Sequence, residues 1–305
     1  MKLNIVFMGS PDFALPTLSA LAQNHHVAGV VTQPDRAAGR GRALKAPPVK
    51  ELAQKLNIPV IQPEKLKQPE ALEQLRAWQP DLIVVAAFGQ ILKPEVLNLP
   101  RYGCLNVHAS LLPRWRGAAP INAAILAGDS ETGVTLMKMD IGLDTGDMLA
   151  RKTLPIAAED TAGTLFGALA KLGADLLLET LPAYIGGKLA AQPQDNALAT
   201  YAPMLKKEDG LLDFSKSASE LERRIRAMNP WPGAWMLWKD APLKVLRATV
   251  ADGGESAHAA QRLTVQENPA IQCGEGILIL QEIQPAGKKT MSGKSFLAGA
   301  RNWVE

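Results

Sequence analysis

Cysteine is nearly missing from this chain: only Cys104 and Cys273 occur, far apart in sequence. Two such thiols make no disulfide framework and suit a reduced, cytoplasmic protein. Histidine is sparse too, limited to His25, His26, His108 and His258. Four imidazoles without paired cysteines argue against zinc, and no metal is expected. No apolar run reaches the roughly 18 residues a membrane span needs, so no membrane partner is expected. The N-terminal run 3–8 is broken at Gly9, too soon for a signal peptide. A dominant charge sign is also lacking: 33 Lys and Arg stand against 30 Asp and Glu, a formal net charge of +3. That excludes a protein holding RNA by bulk charge and leaves room for local basic patches. Two nucleotide signatures fail as well. The first strand is followed by Gly9-Ser10-Pro11-Asp12-Phe13-Ala14 rather than Gly-x-Gly-x-x-Gly, and no Walker lysine follows it.

What is there is patterned. A chain of 305 residues, 47% hydrophobic and 21% charged, can bury a large core and divide into about two domains. Strand-like runs at 3–8, 27–32, 82–87 and 105–108 alternate with helical runs at 12–23, 48–56 and 69–78. Such alternation predicts an α/β fold, a Rossmann-like, mostly parallel sheet covered by helices. Ligands of such sheets bind beyond the carboxyl ends of the strands, where His108 and the loops at 9–13 and 88–91 would lie. Runs at 132–139 and 148–154 predict an antiparallel hairpin at the sheet edge. Its loop would return Asp144 to the end of the sheet that carries His108. A long helix over 161–185 closes a first domain, 1–188. Residues 189–208 lack a period, contain Pro193 and Pro203, and read as a linker. In 209–305 a helix at 218–228 precedes short strands at 234–238, 243–250, 263–265 and 276–282, predicting a small β-barrel. Trp231 and Trp235 are read as core residues of that domain.

Two features carry chemistry. In Asn106-Val107-His108 the strand period of two puts the amide and the imidazole on one face and Val107 on the other. Neither polar group suits a core without partners, and together they suit a site where negative charge develops on one oxygen. Asn-x-His alone is common, and Asp140, Asp144 and Asp147 all fit turn chemistry. The second feature is the long loop that begins at Gln33. It carries Arg36, Arg40, Arg42 and Lys45 against the single anion Asp35. Composition allows a solvated connector there, and equally a clamp on a phosphate backbone.

In order along the chain, Asn106-Val107-His108, Ser110-Leu111-Leu112-Pro113, Arg116-Gly117-Ala118-Ala119-Pro120-Ile121 and Asp144-Thr145-Gly146-Asp147 resemble the signature of the folate-dependent formyltransferases. The resemblance covers nearly the whole chain. It implies a formyltransferase domain followed by an OB-like barrel that binds tRNA. It implies 10-formyltetrahydrofolate as co-substrate and charged initiator tRNA as acceptor, formylated on the α-amine of its methionine; the oligomeric state is open, with a monomer as the default expectation. Asn106, His108 and Asp144 would be catalytic. Phe88, Gly89, Gln90 and Ile91, with Ser110, Leu111, Leu112 and Pro113, would hold the folate. Arg36, Arg40, Arg42, Lys45, Lys206 and Lys207 would face the tRNA. An amino-sugar nucleotide is the alternative acceptor within the family. A non-catalytic RNA-binding protein is a third reading, but it has no use for Asn106, His108 and Asp144 together.

Overall fold

The computed structural model describes residues 2–38, 43–255, 258–300 and 302–304. Two compact units result: Met1–Pro120, Glu131–Pro155 and Phe166–Ala202 form the first, and Ile121–Ser130, Ile156–Leu165 and Pro203–Glu305 the second. In chain order the elements begin with β1 (Asn4–Gly9), α1 (Leu15–Asn24), β2 (His26–Val31), β3 (Arg36–Ala38), β4 (Ala43–Lys45), α2 (Pro48–Lys55), β5 (Val60–Ile61) and α3 (Pro69–Ala77). They continue with β6 (Leu82–Ala86), α4 (Pro94–Leu97), β7 (Cys104–His108), β8 (Arg116–Gly117), α5 (Pro120–Ala127), β9 (Glu131–Lys138), β10 (Met148–Pro155), α6 (Ala162–Ile185) and β11 (Tyr201–Ala202). Helices α2, α3 and α4 each open on proline, whose fixed φ suits the first helical position and whose missing N–H would be unpaired there anyway.

The main sheet of the first unit runs β10-β9-β7-β6-β1-β2-β5. Strands β7, β6, β1, β2 and β5 are mutually parallel, and β9 and β10 extend the sheet antiparallel. Every residue of β6 is buried, as a central strand covered on both faces requires. The basic loop forms an antiparallel pair of short arms, β3 and β4, with Arg36 opposite Lys45.

The strand that leads to Asp144 behaves differently from the sequence reading. Strand β9 runs antiparallel to β7, with His108 opposite Thr135 and Leu105 opposite Lys138. The hairpin after Lys138 therefore starts at the beginning of β7, not at the end that carries His108. Asp144 reaches the imidazole only because the 139–147 loop folds back over the sheet. Gly146 permits this, since a Cβ there would collide with the Lys138 carbonyl.

Helix α6 covers the opposite face. A Cβ on Gly173 would stand 2.5 Å from Val107 Cγ1, so glycine lets the helix seat closely behind the strand that presents Asn106 and His108. Cys104 is buried in the same strand, and desolvation pushes its thiol up to about 12.

The second unit holds α7 (Ala218–Met228), β12 (Ala234–Trp238), β13 (Ala241–Glu255), β14 (Arg262–Val265), β15 (Asn268–Gln272), β16 (Glu275–Pro285), β17 (Met291–Ser292) and α8 (Gly293–Gly299). Its sheet is antiparallel, ordered β12-β13-β16-β15-β14 with β17 paired to β16. Helix α7 begins at a capping box: Ser217 Oγ accepts from Glu220 N at 3.2 Å, and the Glu220 carboxylate accepts from Ser217 N at 3.1 Å. Its Leu221, Ile225 and Met228 enter a core with Val245, Leu278, Leu280 and Trp303. The aromatic part of that core is edge-to-face, with Trp238–Phe296 at 4.8 Å and Phe296–Trp303 at 5.7 Å. Trp231 and Trp235 do not belong to it. Trp231 is 59% exposed on the turn between α7 and β12, and Trp235 is half-buried with its indole N–H on the Lys207 carbonyl.

Candidate active site

Asn106 and His108 sit near the end of β7, both almost fully buried, with the Asp144 carboxylate between them. Asn106 Nδ2 donates to Asp144 Oδ1 at 3.4 Å, and His108 Nδ1 lies 3.7 Å from Oδ2. Both distances exceed the 2.7–3.2 Å of a well-formed bond. The amide and the ring nitrogen are therefore close enough to act on one small group, yet neither is locked to the carboxylate. The carboxylate itself is fixed from another side, where Gly117 N donates to Oδ2 at 2.8 Å. The far ring nitrogen of His108, Nε2, donates to the Trp115 carbonyl at 2.9 Å, which fixes the plane of the ring.

The turn after β7 is braced internally. Ser110 Oγ donates to the Arg114 carbonyl at 2.6 Å. Thr135 Oγ1, opposite His108 on β9, donates to the Ser110 carbonyl at 2.7 Å and accepts from Leu112 N at 3.0 Å. Ser110 and Leu112 are both fully buried, so of the four residues expected to meet folate here only Leu111 and Pro113 present side-chain surface.

The loop after β6 divides in the same way. Phe88 is a core residue, and its carbonyl accepts from Gln33 Nε2 at 3.1 Å. Gln90 Oε1 accepts from Leu66 N at 2.9 Å, tying the loop to a neighbouring segment. Gly89 has φ +79° and Ile91 is 63% exposed. Ile141 and Leu143, on the Asp144 loop, are exposed apolar residues as well. Ile91, Ile141 and Leu143 thus leave exposed aliphatic surface on these loops, of the kind that lines a ligand site.

Sequence reasoning missed the residues that hold the Asp144 loop. Gln194, in the supposed linker, donates from Nε2 to the carbonyls of Asp144 at 2.8 Å and Gly146 at 2.7 Å. Its Oε1 accepts from Arg116 Nε at 3.0 Å and Nη2 at 2.8 Å, and Nη2 also donates to Asn196 Oδ1 at 2.8 Å. Arg116 is 2% exposed. The same segment forms β11, which pairs in parallel with β8, and Thr200 Oγ1 accepts from Trp115 N at 2.9 Å. Residues as far as Ala202 thus belong to the first unit. The one signal in the chain itself was the run of amides Gln192, Gln194 and Asn196 in a stretch without hydrophobic period.

The basic residues lie on exposed surface where they are described. Arg36 and Lys45 face each other on β3 and β4, while Arg40 and Arg42 fall outside the described residues. Asp35 is bound to Lys50 at 2.7 Å and to Gln62 at 2.6 Å. Its carboxyl is held below its ordinary value, first by the Gln62 hydrogen bond and then by Lys50. Lys206 and Lys207 are exposed in the second unit. Among the described residues, no group of three or more His, Cys, Asp or Glu side chains is arranged to hold a metal ion. No described helix is long and apolar enough to cross a membrane.

A family profile described as "Formyl transferase" matches residues 1–181, and another, "Formyl transferase, C-terminal domain", matches 204–301. The methionyl-tRNA formyltransferase of Citrifermentans bemidjiense is 50% identical over 299 residues, which cover 97% of this chain and 93% of that protein. That of Geobacter sulfurreducens is 48% identical over 301 residues, covering 98% of this chain and 94% of its own. Among solved structures, WlaRD, a sugar 3N-formyl transferase determined in the presence of dTDP and 5-N-formyl-THF, shares the fold. Its TM-score is 0.67 at 20% identity, over 95% of this chain and 100% of that one.

Proposed function

This chain belongs to the formyltransferase family, and we infer that it transfers the formyl group of 10-formyltetrahydrofolate to the α-amino group of methionyl-initiator tRNA. The acceptor follows from the near-full-length likeness to methionyl-tRNA formyltransferases. The chemistry rests on one observation, the convergence of Asn106, His108 and Asp144 within 3.4–3.7 Å.

Bound 10-formyltetrahydrofolate supplies an activated formyl group whose oxygen gains negative charge as the amine adds. Asn106 Nδ2 and His108 Nδ1, loosely held toward Asp144, turn their N–H groups to that oxygen; the ring acts with both nitrogens protonated, because Nε2 already carries the hydrogen given to the Trp115 carbonyl. Each well-placed donor of this kind is worth about 3–4 kcal/mol in the transition state. Asp144, anchored by the Gly117 amide, faces the imidazole and accepts the proton that the amine releases, directly or through water; as the tetrahedral intermediate collapses, the bond from the formyl carbon to N10 breaks and that proton passes to N10 of the departing tetrahydrofolate. Gly89, Gln90, Ile91, Leu111 and Pro113 would line the folate ring, with Phe88, Ser110 and Leu112 as supports beneath.

The test is direct. Purified protein is incubated with 10-formyltetrahydrofolate and, in separate reactions, methionyl-initiator tRNA or an amino-sugar nucleotide. Formylmethionine released from the tRNA is the expected product. A formylated sugar nucleotide with untouched tRNA overturns the proposed acceptor.

For the tRNA, the hairpin of β3 and β4 is the strongest support. Arg36 and Lys45 are directly opposed like charges, an unfavourable pair unless an anion lies between them. The neighbouring carboxylate, Asp35, is already engaged by Lys50 and Gln62. A phosphate group would relieve the repulsion. Arg36→Ala and Lys45→Ala are each expected to weaken tRNA binding and to reduce the slope of log K against log salt by about one. The loss is larger at low salt, because the wild-type contact itself fades as salt rises. Binding curves at several ionic strengths check this, and an unchanged slope removes the hairpin from the RNA surface.

A further inference from the structure

The Asp144 loop has no reason of its own to lie over the sheet. It leaves β9 beside the start of β7 and doubles back, with Asp144 at φ +53°, a left-handed conformation that aspartate enters more readily than most residues bearing a side chain. The path back toward His108 is fixed by a hold from outside the loop. Gln194 supplies the hold: its amide N–H groups bind the carbonyls of Asp144 and Gly146, one at the reactive residue and one two positions on. Gln194 is in turn aimed by Arg116, whose guanidinium takes the amide oxygen through two nitrogens. Arg116 directly precedes Gly117, the amide that anchors the Asp144 carboxylate. Gln194 is half-buried in a stretch whose neighbours Pro193, Asp195 and Asn196 are exposed, so this one side chain is turned inward.

We propose that Gln194, oriented by Arg116, is a positioning residue for formyl transfer that keeps the Asp144 carboxylate facing His108. The proposal rests on the assignment of Asp144 as the group serving His108 and the amine. It carries further than a general stabilising role, because both amide hydrogens act on the backbone of the single loop that brings the carboxylate into place. A displacement of about 1 Å in a reacting geometry costs on the order of 10²-fold in rate.

The experiment is a double-mutant cycle on kcat with the full-length protein, using Gln194→Ala, Asp144→Asn and the pair. Gln194→Ala is expected to lower kcat about 10²-fold with little change in KM for either substrate. Added to Asp144→Asn, it should cost less than about threefold more, because the carboxylate it positions is already gone. Gln194→Glu guards against loss of folding. It keeps an oxygen for Arg116 but removes both N–H donors, so it should retain the wild-type melting temperature to within a few degrees and still lose kcat. Additive losses, or a Gln194→Glu variant with wild-type kcat, overturn the proposal. An Asp144→Asn variant with wild-type kcat overturns the assignment of Asp144 itself, and this inference with it.

Discussion

Replacing His108 with alanine is expected to lower the turnover of formyl transfer about 10²–10³-fold, the loss of one preorganised donor to a developing oxyanion. At about 1.4 kcal/mol per decade this corresponds to the 3–4 kcal/mol assigned to that donor. The effect should fall on kcat and kcat/KM together, since the ring meets its target only as charge develops. Folate affinity should hardly change, because His108 is 6% exposed and the apolar surface offered to a ligand comes from residues such as Ile91. Steady-state kinetics alongside a folate-binding titration separate these quantities. A variant with near wild-type turnover removes the imidazole from the reaction, whatever its place in the structure.

Asp144→Asn probes the other half of the pair, with an expected loss of about 10²–10⁴-fold in kcat, the range for a positioned proton acceptor. Asparagine is nearly isosteric and can still accept from Gly117 N through its carbonyl oxygen, so the loop should keep its place. What disappears is the negative charge facing the imidazole and the capacity to take a proton. The loss should therefore appear in kcat with a melting temperature close to wild type. Equal losses in stability and rate would make Asp144 a structural residue, and the chemistry would need another base.

The three acidic residues of this loop show what a sequence can and cannot resolve. Asp140, Asp144 and Asp147 are equally plausible turn residues by type. The structure separates them by partner: Asp140 accepts from Gly142 N at 3.0 Å and from Thr145 Oγ1 at 2.6 Å, which closes its own turn. Only the family resemblance had singled out Asp144. That Asn106 and His108 share a face, by contrast, was legible from alternation alone, because a period of two needs no tertiary context to decide faces; their role in a reaction came from the resemblance. The same holds for the all-apolar β6 and for α7, whose amphipathic pattern and capping box mark its bounds in the chain itself.

Two stretches resisted the reading for physical reasons. Arms of three residues, such as β3 and β4, are too short for periodicity to register, so the basic segment read as a loop, with its strand pairing unseen. Residues 189–202 gave no hydrophobic signal because they are held by side-chain amides and backbone pairing rather than by apolar burial. The course of the Asp144 loop failed for a related reason. Pattern identifies a hairpin, but the direction of its first strand against β7 decides at which end the hairpin turns, and direction leaves no mark in composition.

The parallel pairing of β11 with β8 joins backbone about 85 residues apart, as Tyr201 to Arg116. On a ribosome, synthesis runs from the N-terminus, so Asn106, His108 and Asp144 all emerge before Gln194 and Thr200 exist to restrain their loops. A nascent chain stopped near residue 190 would hold all three residues to which the reaction is assigned and still lack Gln194 and the strand that pairs with β8. Under the role proposed for Gln194, catalytic competence would be a late event of translation, acquired only when the returning segment docks.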